Sequence, residues 1–234
     1  STLTSISNDD ETIGEFGMHW RNAFYQAEIA HQDFLESSPY SDLKVMQQVL
    51  DFIPDSSNLQ MGNSSVVRYV QLFNQIRSIR YFGNRGVSGI EGCTSTAVGM
   101  ALESENTTVL ISGDQSFRYD SNGLSLQDKV EGLKVIVINN GGGNIFRIIP
   151  GPSEHASSDE YIEKMDDRPI QKLVEYHGCE YQMASDDESL EKGLLWLFSP
   201  SLTKSAVLEI FTPRLDSPEI LKAYFSKIKA SGVR

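Results

Sequence analysis

Six short apolar runs, separated by stretches with helical spacing, set the tightest limit on what this chain can become. The runs fall at 58–61, 80–83, 108–112, 134–138, 180–183 and 206–211. Two of them, within "TTVLIS" and "KVIVI", are apolar on consecutive residues rather than on alternate ones. A strand of that kind is covered on both faces, as in a parallel sheet. Helical patterns lie between the runs, at about 64–76, 91–104, 121–131, 168–177 and 187–198, and a last one covers about 218–230. The alternation predicts a doubly wound α/β fold, with about six parallel strands and helices on both faces.

The first 35 residues stand apart from this pattern. Residues 1–14 are polar and acidic, with neither the basic region nor the apolar core of a signal peptide. "HWRNAFYQAEIAHQDFLES" then has helical spacing, with Trp20, Phe24, Ile29 and Phe34 as its larger apolar groups. In "SSPYSDLKVMQQVLDFIP", Ser41 is placed to cap a helix whose inner face carries Leu43, Met46, Leu50 and Ile53. The expected division is a linker or tail over 1–35 and one domain over 36–234.

Composition narrows the function classes. The formal net charge of −12 argues against broad binding to nucleic acid or anionic membranes. No apolar run approaches the roughly 18 residues of a membrane span. Cys93 and Cys179 form neither a disulfide framework nor a metal-ligand spacing, so buried reduced thiols in a cytoplasmic protein are expected. His19, His31, His155 and His177 fall in no catalytic spacing.

The chemistry concentrates at two strand ends. "ISGDQSFRYDSNGL" passes from an apolar run to Asp114, and "VIVINNGGG" passes from another to Asn139 and Asn140. A helix of about eleven residues covers roughly 16 Å. Five strand residues cover about the same distance. Asp114 and Asn140 should therefore emerge at one edge of the sheet, on neighbouring strands. In such folds ligands bind beyond the carboxyl ends of the strands. A carboxylate, an amide oxygen and backbone carbonyls are hard ligands that suit magnesium or calcium rather than zinc. Glycines at 141–143 let the backbone approach a bulky ligand. Together they predict a metal site that clamps a phosphorylated cofactor.

Asp114 and Asn140, 26 positions apart, resemble the "GD…NN" metal and diphosphate motif of thiamine-diphosphate-dependent enzymes. "GNRGVSGIEGCTSTAVGMAL", "GDQSFRYDSNGL" and "VINNGGGNIFRIIP" are more specifically similar to the C-terminal, pyrophosphate-binding domain of the SEPHCHC synthase family. The resemblance runs from about Leu59 to Pro150 and returns in "AVLEIFTPRLDS". It implies a transferase of menaquinone biosynthesis, which joins 2-oxoglutarate to isochorismate with decarboxylation. By position it implies a magnesium ion, or manganese in its place, on Asp114, Asn140 and the Gly142 carbonyl. Ser116 would donate to the diphosphate, and Ile90 would press on the cofactor rings. Ile145 and Phe146 would wall the reactive carbon. Asn63 and Ser64 would lie near the cofactor while capping a helix. Arg68 and Arg85 would hold substrate carboxylates in their two-pronged geometry.

The chain departs from the family's pattern at Gly141, where a third asparagine is common, at Glu91 for aspartate and at Gln115 for leucine. No segment resembles the pyrimidine-binding domain that carries the activating glutamate in the family. The resemblance therefore makes the chain a C-terminal fragment, inactive alone, whose site is completed by that N-terminal domain of a second subunit in a homo-oligomer. The polar stretch 151–167, just after the cofactor wall, reads as a mobile lid or an ordinary excursion. Two other assignments fit the motifs: an acetolactate-synthase-like enzyme or 2-oxoacid decarboxylase, and a non-catalytic module of the same fold.

Overall fold

The computed structural model of the protein describes residues 14–130, 132–149, 151 and 162–231. Six strands form one sheet: β1 (Asn58–Met61), β2 (Arg80–Gly83), β3 (Thr108–Gly113), β4 (Lys134–Asn139), β5 (Glu180–Ala184) and β6 (Ala206–Phe211). Every pairing is parallel, in the order β2-β1-β3-β4-β6-β5. The six apolar runs mark all six strands, with bounds within one residue.

Alternate side chains along each strand feed two separate cores. One face carries Val109, Ile111, Ile136, Ile138, Leu208 and Ile210. It is covered by α2 (Asp42–Phe52), α3 (Ser65–Val70), α8 (Asp187–Leu197) and α9 (Asp216–Ala230). The other face carries Leu110, Val135, Val137 and Val207. There it meets α4 (Cys93–Glu103), α5 (Asp114–Asp120), a 3-10 helix over Ser121–Lys129 and α7 (Gln171–Tyr176). This is the doubly wound α/β architecture. Both cysteines are free thiols, buried in the second core.

Ser41 caps α2 by accepting from the Lys44 backbone N–H, and Leu43, Met46, Leu50 and Ile53 are all buried, as their spacing predicts. The helix before it, α1 (Glu15–Ser37), also forms, but its apolar residues behave differently. Trp20, Phe24 and Ile29 are exposed, Trp20 by 56%. Among the described residues it is the second half of α1 that packs on the hydrophobic core, through Ala30, His31, Leu35 and the partly buried Phe34, whose ring meets Tyr224. His31 Nδ1 lies 2.9 Å from the Tyr224 hydroxyl of α9, and burial lowers its pKa.

Two local expectations need correction. The helical pattern at 64–76 yields only the short α3, because the chain after Val70 turns back through 3-10-type bonds from Leu72 and Phe73 to Tyr69 and Val70. The pattern at 121–131 is not an α-helix. The chain becomes helical as soon as β3 ends, making α5 from Asp114, and then tightens into the 3-10 segment. Gly123 sits in that segment against Ser95, where a Cβ would lie 2.8 Å from the Ser95 backbone nitrogen. The close approach of α4 thus replaces a regular helix.

Candidate cofactor and metal site

The chain order changes direction between β1 and β3. From β1 it runs outward to β2, then returns over α4 to β3 on the other side. Loops at the carboxyl ends of such strands separate and leave a crevice. A cavity of about 260 Å³ occupies that place, built from the loops after β1, β3 and β4.

After β1, Gly62 donates its N–H to the Ile111 carbonyl at 2.7 Å. A Cβ there would lie 3.0 Å from the same oxygen, so glycine lets the loop hug β3. Asn63 is buried and fully used. Its Nδ2 donates to the carbonyls of Asn84 (3.0 Å) and Gly89 (2.7 Å), and its Oδ1 accepts from Arg85 at 2.8 Å. Asn63 therefore fastens the 84–90 loop rather than capping α3. Ser64 occupies the cap position without a side-chain cap bond. Its backbone, at φ 69° and ψ −122°, is in a region that costs a non-glycine residue roughly 1–3 kcal/mol. The strain sits in the cavity wall.

After β3, Asp114 is 2% exposed. Burial pushes its carboxyl up to about 7, against the pull of hydrogen bonds from Gln115 and the charge of Arg118. Ser116 donates its hydroxyl to the Ile90 carbonyl, tying the 84–90 loop to α5. After β4, the two asparagines part. Asn139 turns to the buried Glu209, donating at 2.6 Å, while Asn140 lines the cavity. Gly142 has φ 148° and a Cβ there would meet the Glu163 carbonyl at 3.1 Å, so this turn is closed to larger residues. Ile145 and Phe146 open the short α6 (Ile145–Ile148) and face the same cavity.

Asn63, Ser64, Ile90, Asp114, Ser116, Asn140, Gly142, Ile145 and Phe146 are thus gathered around one space. Arg68 and Arg85 are not in its wall; both are exposed, Arg68 on α3 and Arg85 in the loop that Asn63 fastens. Among the described residues no group of three or more His, Cys, Asp or Glu side chains could hold a metal. The available set is one carboxylate, one amide oxygen and one backbone carbonyl. These are hard donors in a number that leaves positions for phosphate oxygens and water, the usual habit of magnesium. A buried carboxylate whose pKa burial raises to about 7 fits such an ion, which would favour its charged form.

The spacing of the sequence missed several residues of this wall. Asp42, Tyr69, Asn144 and Lys164 also line the cavity. Asp42 reads locally as the first residue of a capped helix, and nothing nearby points to Asn140, 98 residues away. Glu163 lies in the stretch read as a lid or excursion. It is 2% exposed, paired with Arg147 at 2.9 Å and Arg214 at 2.5 Å, and its carbonyl accepts from Gly143. Residues 152–161 of that stretch, with His155, lie outside the described residues. No described helix is long and apolar enough to cross a membrane.

No protein-family model matches the chain. It is similar to curated 2-succinyl-5-enolpyruvyl-6-hydroxy-3-cyclohexene-1-carboxylate synthases: 40% identical over 200 residues to that of Christiangramia forsetii, 86% of this chain and 34% of the relative. The Flavobacterium johnsoniae protein is 42% identical over 200 residues, 86% of this chain and 36% of its own length. The Porphyromonas gingivalis protein is 38% identical over 213 residues, 89% and 36%. The chain thus spans about a third of the length of these relatives. The crystal structure of benzoylformate decarboxylase from Polynucleobacter necessarius superposes with a TM-score of 0.61 at 18% identity, over 77% of this chain and 34% of that one, a likeness of fold.

Proposed function

We propose, for a chain that belongs to the SEPHCHC synthase family, that residues 36–234 are the domain that holds thiamine diphosphate and its metal ion, with 1–35 the linker before it. When bound, the cofactor supplies an electron sink for decarboxylation of a 2-oxo acid. Asp114, Asn140 Oδ1 and the Gly142 carbonyl hold magnesium or manganese. Ser116 donates to the diphosphate only by giving up its bond to the Ile90 carbonyl. Ile90, kept in place by the Asn63 latch, supports the cofactor rings. Ile145 and Phe146 exclude water from the reacting carbon, which favours loss of a charged carboxylate as neutral carbon dioxide.

The substrates of this reading are 2-oxoglutarate and isochorismate, both anions meeting a chain of net charge −12. A local cation has to offset that field. Arg68 and Arg85, outside the cavity wall, take that role at the approach to it. The activating glutamate belongs to an N-terminal pyrimidine-binding domain of a second subunit in a cytoplasmic homo-oligomer, so this chain alone does not turn over.

The observation that carries the reading is Asp114: a buried carboxylate facing Asn140 and Gly142 in one cavity, with burial pushing it up to about 7. Calorimetric titration of thiamine diphosphate with magnesium, with and without a chelator, tests it. Metal-dependent binding that Asp114→Ala abolishes is the expected result. Equal affinity in the variant, or no binding by the parent chain, sinks it.

A further inference from the structure

Asn140 carries both a donor and an acceptor on one amide, and a metal can use only the acceptor. Which end faces the cavity is decided behind it. Its Nδ2 donates to Asp42 Oδ2 at 2.9 Å. Both Asp42 oxygens accept here, Oδ1 from Thr212 and Oδ2 from the Asn140 NH2, and holding that end turns the Asn140 Oδ1 away. Among the described residues Oδ1 meets no hydrogen-bonding partner. We propose that Asp42 is a positioning residue that locks the Asn140 amide with its oxygen toward the metal. The inference rests on the metal reading of the cavity.

Asp42 is itself held from three directions. Its Oδ1 accepts from the Thr212 hydroxyl at 2.5 Å, just beyond β6. Its backbone N–H donates to Ser217 Oγ at 3.1 Å, at the start of α9. Ser41 caps its own helix one residue earlier. Asp42 and Ser217 are both buried, and Asp42 reaches the cavity wall. Through this carboxylate, the α2 and α9 layer sets the orientation of a side chain at the end of β4. Its neighbour Asn139 is fixed by a similar device, donating to Glu209, but faces the other way. Two adjacent amides thus have their orientations set by two separate buried carboxylates.

The test compares Asp42→Asn with Thr212→Val in this chain, using manganese and thiamine diphosphate as the probe. Asparagine at 42 can present either end of its amide, so Asn140 loses its fixed orientation. Manganese affinity, read by electron paramagnetic resonance, should fall at least tenfold. Thr212→Val removes another bond to the same carboxylate but leaves the Asn140 contact, and should change affinity less than twofold. A merely structural role would lower the melting temperature of both variants and leave manganese affinity alone.

A second readout needs no cofactor. In the parent chain the Asn140 side-chain amide protons should exchange slowly, and in Asp42→Asn they should exchange like those of an exposed asparagine. Fast exchange in the parent overturns the proposal even where Asp42→Asn does not fold. Equal manganese affinity in parent and Asp42→Asn overturns the proposal alone. No manganese binding by the parent overturns the metal reading and the proposal with it.

Discussion

Asp114→Asn should make the cofactor-free chain more stable as the pH rises, while removing its hold on metal. The carboxyl is pushed from an ordinary 3.8 to about 7, chiefly by burial. The sign follows from linkage. Between those two values the folded state keeps a proton that the unfolded state has released, so stability is full below 3.8 and is lost as pH rises through about 7. At about 1.4 kcal/mol for each tenfold step in proton affinity, the complete loss is roughly 4 kcal/mol. Between pH 5 and pH 8 the share is roughly 2–3 kcal/mol, because some proton release from the unfolded state is already past at pH 5. Asparagine keeps an acceptor for the Gln115 contacts and has no charge to bury. Urea unfolding of parent and variant at both pH values isolates the difference. The variant should gain on the parent by that amount from pH 5 to pH 8, and a saturating metal-bound cofactor should reverse the order by stabilising only the parent. Parallel pH profiles would refute the argument, since they would mean that Asp114 is ionised in the folded chain without help from a metal.

Asn63→Asp keeps the acceptor for Arg85 but leaves the Asn84 and Gly89 carbonyls without their donor; it should cost about 1–3 kcal/mol of stability and weaken thiamine diphosphate binding by freeing Ile90, both readable by calorimetry. Ser64→Gly should raise stability by about 1 kcal/mol, the relieved strain less the added freedom of the unfolded glycine, and a lower unfolding midpoint would contradict the strain. Gly193→Ala places a Cβ 2.7 Å from Leu208 Cδ1, between α8 and β6, and should cost roughly 1–3 kcal/mol by urea unfolding; an unchanged midpoint would mean that α8 stands further from the sheet.

Much of this protein was legible in one dimension because the signals are local. A strand covered on both faces needs consecutive apolar residues, so "TTVLIS" and "KVIVI" declare themselves. With two parallel neighbours, β3 and β4, the ends carrying Asp114 and Asn140 had to meet at one edge, and they do. Ser41 likewise announces α2, because a cap acts within three residues. The short α3, the onset of α5 at Asp114 and the exposure of Trp20 were not legible. Each depends on what the chain packs against, as Gly123 does against Ser95, and the first half of α1 has no described surface to cover its aromatic residues. Arg68 and Arg85 matched a motif in sequence, yet whether a guanidinium enters a cavity is settled by backbone direction, and neither lines this one, Arg85 reaching only the wall residue Asn63. Asp42 is the clearest case: its contacts to Asn140 and Thr212 cross 98 and 170 residues, respectively. No spacing rule spans that distance, and only the stacking of α2 and α9 over the sheet brings the carboxylate to the amide.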